Sequence, residues 1–147
     1  MAYLERHPMG FARKKLEIPE SALYHESPND LKVALHHVLF GIEKAWRIEQ
    51  SDLASILHRS PSTISEWKGK GAVSVSTGKP SPNDAQIYEL IELYDAVTSL
   101  FVRVEDQISW LHTKSLDFGG KSPLQLLKEH SQNLFALRAW VEHLARP

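Results

Sequence analysis

The chain has 147 residues and no cysteine, which rules out a disulfide framework and any thiolate metal site. It also has no apolar run near the ~20 residues needed to span a bilayer. Its first residues, Met1-Ala2-Tyr3-Leu4-Glu5-Arg6-His7-Pro8, lack the apolar stretch of a secretory signal. We therefore expect a cytoplasmic protein with no membrane contact. No Gly-rich phosphate loop is present, because Gly69-Lys70-Gly71 is too short and follows no strand. There is no strong excess of one charge either: the formal net charge is −1. Its distribution is uneven, with eleven Lys/Arg against nine Asp/Glu in residues 1–80 and six against nine in residues 81–147. A mildly basic front and an acidic back suit a chain that touches phosphates with one half only.

Catalytic and metal chemistry have little to stand on. Of the eight histidines, His36 and His37 are adjacent and diverge by ~100° on a helix, so they do not chelate together. His58, His112, His130 and His143 have no ligand spacing such as His-Glu-x-x-His. The carboxylates of Glu105-Asp106 also diverge on a helix. No local pairing of nucleophile and base is visible. We expect no catalytic residue, no metal, no cofactor and no enzymatic activity.

Apolar residues make up 42% of the chain, enough for a real core, and every clear period is helical. The expected class is all-α: a helix-turn-helix bundle, a long connecting helix and a small C-terminal helical unit. Residues 1–28, with Pro8, Pro19, Pro28 and the cluster Arg13-Lys14-Lys15, read as an N-terminal arm that is either a solvated tail or a phosphate contact. Residues 29–82 form the next unit. Asn29 or Asp30 is placed to cap its first helix, whose stripe is Leu31, Ala34, Leu35, Val38, Leu39 and Ile42. A linker rich in Gly and Pro follows from about Gly69 to Pro82, and Ala72-Val73-Ser74-Val75 within it suits a short extended piece. Residues 83–147 form the last unit. Between Asn83 and His112 the residues Ile87, Leu90, Tyr94, Val97, Phe101, Val104, Ile108 and Leu111 make a heptad seam. That is one helix of about 30 residues, about 45 Å long, or two helices sharing a direction. The seam needs something to cover it, so we expect a homodimer. Ser122 and Pro123 open the next helix, and a closing helix runs from about Asn133 to Ala145.

The most informative stretch is Glu49–Gly69. Gln50–Leu57 and Pro61–Lys68 read as two short helices joined by His58-Arg59-Ser60. Leu53, Ala54, Ile56, Leu57, Ile64 and Trp67 face inward. Ser60 is placed to cap the second helix and Pro61 to occupy its first position. The outward side chains Pro61, Ser62, Ser65, Glu66 and Lys68, with Thr63 at the border, are mostly short and polar, as suits a helix entering the major groove. Gln50 and Ser60 sit at helix N-termini, where backbone amides bind phosphate. Arg59, Lys68 and Lys70 place positive charge at the edges. A helical hairpin that binds no DNA is the alternative.

This stretch resembles the Xre-type helix-turn-helix. A Gln opens the first helix, Leu-Ala follows, and the second helix reads Ser-x-x-x-Ile-Ser-x-Trp-x-x-Gly. Gln50, Leu53, Ala54, Ser60, Ile64, Ser65 and Trp67 match, and Gly69 comes one residue early. Where that family usually has a turn glycine, this chain has His58, a residue that tolerates φ > 0 better than most.

The second half is similar to the toxin-binding domain of Xre/MbcA/ParS antitoxins, through Ile108-Ser109-Trp110-Leu111 and Gly119-Gly120-Lys121-Ser122-Pro123-Leu124-Gln125-Leu126-Leu127. Where that family often has Gly after the Pro-Leu helix, this chain has Ser131-Gln132-Asn133. The two resemblances cover about residues 45–145. They imply an antitoxin that binds operator DNA through Gln50, Arg59, Ser60, Pro61, Ser62, Thr63, Ser65, Lys68 and Lys70. They also imply that it neutralises a RES-domain toxin, an NAD-degrading enzyme, and represses its own operon. Toxin contacts would come from Trp110, Leu111, Pro123, Leu124, Leu127, Arg138 and Arg146. A palindromic operator and a homodimer go together. The other readings are a stand-alone Xre-family regulator with no toxin partner, and an interaction adaptor that has lost DNA binding. For Trp110, Leu124, Leu127 and Trp140, ordinary core packing is the competing explanation. Removal of the chain from about Lys114 onward is expected to leave the two-helix unit folded.

Overall fold

Leu35, Val38, Leu39 and Ile42 recur at helical spacing, and in the computed structural model, which describes residues 28–76 and 81–145, they line the inner face of α1 (Pro28–Ala45). α1 already begins at Pro28, so Asn29 and Asp30 lie in its first turn rather than at its cap. An acidic residue there still suits the positive end of the helix dipole. α1 stops where Arg47 turns left-handed, with φ 52°. The Ile48 N–H then donates to the Glu43 carbonyl, which occupies an acceptor left open at the helix end.

Two short helices follow, α2 (Gln50–Leu57) and α3 (Pro61–Lys70). α3 runs through Gly69 and closes on Gly71, which takes φ 70°. The linker therefore begins two residues later than its first glycine suggests. Its next residues dock rather than hang free: Val73 and Val75 are buried, and the Val73 N–H donates to the Lys32 carbonyl at 3.0 Å. Ser81 caps a short 3-10 turn, Pro82–Asp84, which leads into α4 (Ala85–Leu100).

Of the two expectations for residues 83–112, one long helix or two, the structure has two helices. α4 ends at Leu100, Phe101 is extended, and α5 spans Val104–His112. The hydroxyls of Thr98 and Ser99 both donate to the Asp95 carbonyl, a competition that weakens the last helical turn. The Gln107 amide then donates to the Phe101 carbonyl at 2.8 Å, which holds the chain in its bent course. In the seam, Ile87, Leu90, Tyr94 and Val97 are buried within this chain, whereas Val104 is exposed. The first half of the seam is thus covered without a second copy, and only its second half leaves Val104 open.

A 3-10 turn (Leu116–Phe118), α6 (Pro123–Glu129) and α7 (Gln132–Ala145) complete the fold. Ser122 forms a reciprocal cap with Gln125, and Pro123 fills the position whose N–H would be unpaired. α7 packs along α4 in the most extensive helix contact of the molecule, burying Leu134, Leu137 and Val141. Arg138 reinforces it by reaching Glu89 and Glu92 on α4 and Glu142 on α7.

The chain is all-α. Among the described residues there are seven α-helices and no β-strand, and no helix is long and apolar enough to cross a membrane. Residues on both sides of the linker share one core. Polar contacts also join the parts. The Trp46 indole donates to Gln107 at 3.3 Å, and His112 meets the Trp46 carbonyl at 3.2 Å. Arg59 pairs with Asp84 at 3.1 Å, and Lys128 with Asp52 at 2.8 Å.

Candidate nucleic-acid interface

α2 and α3 are held at a fixed angle by the three residues between them. His58 adopts φ 53° and ψ 45°, the left-handed conformation expected of a turn glycine. This lets the His58 and Arg59 N–H groups donate back to the Ser55 and Ala54 carbonyls, closing α2 in the manner of a left-handed cap. Ser60 turns extended, its hydroxyl accepts the Thr63 N–H at 3.2 Å, and Pro61 takes the first helical position. Both positions are those the sequence predicts.

Ile64 and Trp67 anchor α3 to the core, and Ala54, at 2% exposure, gives α2 a small residue where the two helices meet. The other face of α3 is open. Pro61, Ser62, Ser65, Glu66, Lys68 and Gly69 are exposed, with Thr63 half-buried. Ser60 shares hydrogen bonds with the hydroxyls of Ser62 and Thr63 at 3.0 and 2.8 Å. The N-terminal end of α3 therefore carries a cluster of three hydroxyls on a capped, proline-braced first turn.

The charges around this face are arranged differently from the expectation. Arg59 is not a free edge cation. Its guanidinium bonds to the Asn83 carbonyl and the buried Asp84, and it lies 5.5 Å over the Trp67 ring. Lys68 pairs with Glu43 at 3.0 Å and sits over Phe40. Lys70 pairs with Glu66 one turn away. That last pair is well exposed on both sides, so it contributes little and phosphate can displace it. The N-terminus of α2, where Gln50 was expected to help hold phosphate, is flanked by carboxylates. Asp52 accepts the Glu49 N–H at 3.0 Å and pairs with Lys128. Burial pushes the Asp52 carboxyl up, but Lys128 and the Glu49 N–H outweigh it and hold it below its ordinary range. An ionised carboxylate there competes with a phosphate for the same amides.

The residues expected to touch a toxin divide into three sets. Leu111, Pro123, Leu124 and Leu127 are buried and pack inside the chain, so they do not form a free surface. Arg138 is engaged by three glutamates, which raise its affinity for the proton further. Trp110 is half-exposed, 6.2 Å from the Phe101 ring. Arg146 and the basic cluster Arg13-Lys14-Lys15 lie outside the described residues. Phe101, read from the sequence only as part of the seam, and Phe118 border the same surface as Trp110 and Trp140, a grouping the sequence does not signal because they come from separate segments that only the fold brings together.

Among the described residues no three His, Asp or Glu side chains are placed to hold a metal ion. His36 and His37 meet edge to face at 5.7 Å, as adjacent helical residues should. Neither the protein-family models nor the curated proteins contain a match to this chain.

Proposed function

We propose that this chain is a DNA-binding antitoxin. In this reading α3 reads an operator, the C-terminal half binds a RES-type toxin, and the complex represses its own operon. The observation that carries the DNA half is the open face of α3. It is short-chained and polar, anchored from behind by Ile64 and Trp67, and held by a turn and cap that leave the helix little freedom. Side chains such as Ser62 and Ser65 let a helix approach base edges closely. The toxin half rests on the resemblance of Trp110-Leu111 and Ser122–Leu127 to the antitoxin domain.

A second reading has its own support. Four of the residues that the resemblance assigns to the toxin are packed inside the chain, and Arg138 holds α7 to α4. That favours an Xre-like regulator without a toxin, in which the same motif builds only core. Co-expression with the product of the adjacent gene separates the two. The antitoxin reading expects stable co-purification and rescue of growth from that product. A partner that neither co-purifies nor is neutralised leaves the regulator.

A further inference from the structure

We propose that the groove walled by Phe101, Trp110, Phe118 and Trp140 is a binding site for an arginine side chain presented by a protein partner. The partner rests on the docking role proposed for this half of the chain, whereas the ligand chemistry rests on the groove alone. The groove has a volume of 490 Å³, within the range of small-ligand sites. Three regions build it: the α4–α5 break, one face of α5 with the turn after it, and α7. On α5, Asp106, Ser109 and Trp110 share a face at helical spacing, and Thr113 follows just past its end. Gln107 and Leu111 are the residues α5 buries in the core, so the groove face is free for another role.

The lining has one chemical character. Four aromatic rings are arranged in two tilted or edge-on pairs, with centroids 6.2 Å apart for Phe101 and Trp110 and 5.0 Å for Phe118 and Trp140. Ring faces attract cations. Asp106 and Asp117 add two carboxylates, and no lysine or arginine is among the lining residues. The hydroxyls of Ser109, Thr113 and Ser115 offer further acceptors. A guanidinium fits this set better than an ammonium. It is planar, stacks on aromatic rings, is more weakly hydrated and has a fork of N–H donors for separate acceptors. Leu116, next to Asp117, is 95% exposed, and Val102, next to Phe101, is 78% exposed. Apolar residues at such positions suit the ring of contacts that excludes water around a buried anchor.

The test is a titration of the full chain with N-acetyl-arginine amide, followed by the indole N–H signals in two-dimensional NMR. The expected result is saturable shifts of Trp110 and Trp140, with the buried Trp46 and Trp67 unmoved. N-acetyl-citrulline amide, of the same shape without the charge, should bind about tenfold more weakly. The double variant Asp106→Asn/Asp117→Asn should lose affinity for the arginine probe by a similar factor. Both aspartates are exposed, so its unfolding midpoint should stay that of the parent. Equal binding of the citrulline probe, undiminished binding by the double variant, or shifts confined to Trp46 and Trp67 would each overturn the proposal. The titration needs neither DNA nor toxin. A chain that binds the probe but no RES-type toxin keeps the site and loses the proposed partner.

Discussion

His58 shows how one residue sets the geometry of the α2–α3 unit. A left-handed backbone costs a residue with a Cβ about 1–2 kcal/mol, and glycine escapes that cost. At φ 53° His58 bears it, and its side chain is exposed and makes no hydrogen bond to the described residues that would offset it. His58→Gly should therefore raise stability by about 1 kcal/mol, seen as a higher urea midpoint, with α3 unmoved. A midpoint that falls would mean the imidazole makes contacts that hold the turn. Arg59, its neighbour, carries the opposite lesson. A cation beside a recognition helix invites a phosphate role, yet here Asp84 and Trp67 engage it. Asp84 is 6% exposed and also accepts the Ser76 N–H, so Arg59 ties the linker to the turn.

At the scale of the element, α4 carries a buried carboxyl. Burial, with Glu92 adding to it, pushes Asp95 up from an ordinary 3.8 to about 8. One of its oxygens has no hydrogen-bond partner. In that window the folded chain keeps a proton that the unfolded chain releases. The stabilising contribution is therefore complete below the ordinary value and is lost as pH rises through about 8. Asp95→Asn stays neutral at every pH. It should flatten the pH dependence of the urea midpoint across the window and raise the midpoint on the alkaline side. An unchanged pH profile would show that Asp95 is ionised in the folded chain.

The helices themselves were legible in the sequence wherever caps and periodicity agreed. α3 and α6 start after the expected caps Ser60 and Ser122, α2 starts at Gln50 as expected, and their inner faces follow the apolar spacing. The break after Leu100 was not legible. The heptad seam continues through Phe101 without Gly or Pro, and what marks the break is a set of side-chain hydrogen bonds, from the Thr98 and Ser99 hydroxyls to the Asp95 carbonyl and from the Gln107 amide to the Phe101 carbonyl. The Arg47 turn also gave no signal, since nothing local marks a left-handed arginine. On the candidate interface, the hydroxyl face of α3 was readable. The engagement of Arg59, Lys68 and Lys70 by Asp84, Glu43 and Glu66 depended on residues far away or one turn along, whose side-chain directions the sequence does not set.

At the scale of the molecule, the part expected to fold alone is joined to the rest. α6 packs on α2, with Lys128 on Asp52, and α5 docks on the end of α1 through Gln107 and His112. Removing residues 114–147 would uncover α4 and α2 together. Large-to-small changes in a core already cost about 2–5 kcal/mol each, so losing two helices should prevent the two-helix unit from folding. The full chain should unfold in one transition, coincident by far-UV circular dichroism and tryptophan fluorescence. A truncated chain that keeps a cooperative transition would separate the two halves.

We propose that α3 reads DNA sequence. The most direct measurement is fluorescence anisotropy of the full chain with DNA from upstream of its own gene and with random duplex, over a series of salt concentrations. The upstream DNA should bind at least about a thousandfold tighter, weakening steeply as salt rises. Ser62→Ala/Ser65→Ala should shrink that preference while leaving random-duplex affinity in place. Equal affinity for both duplexes, or a preference that survives the double variant, would contradict the assignment of α3 as the reading helix.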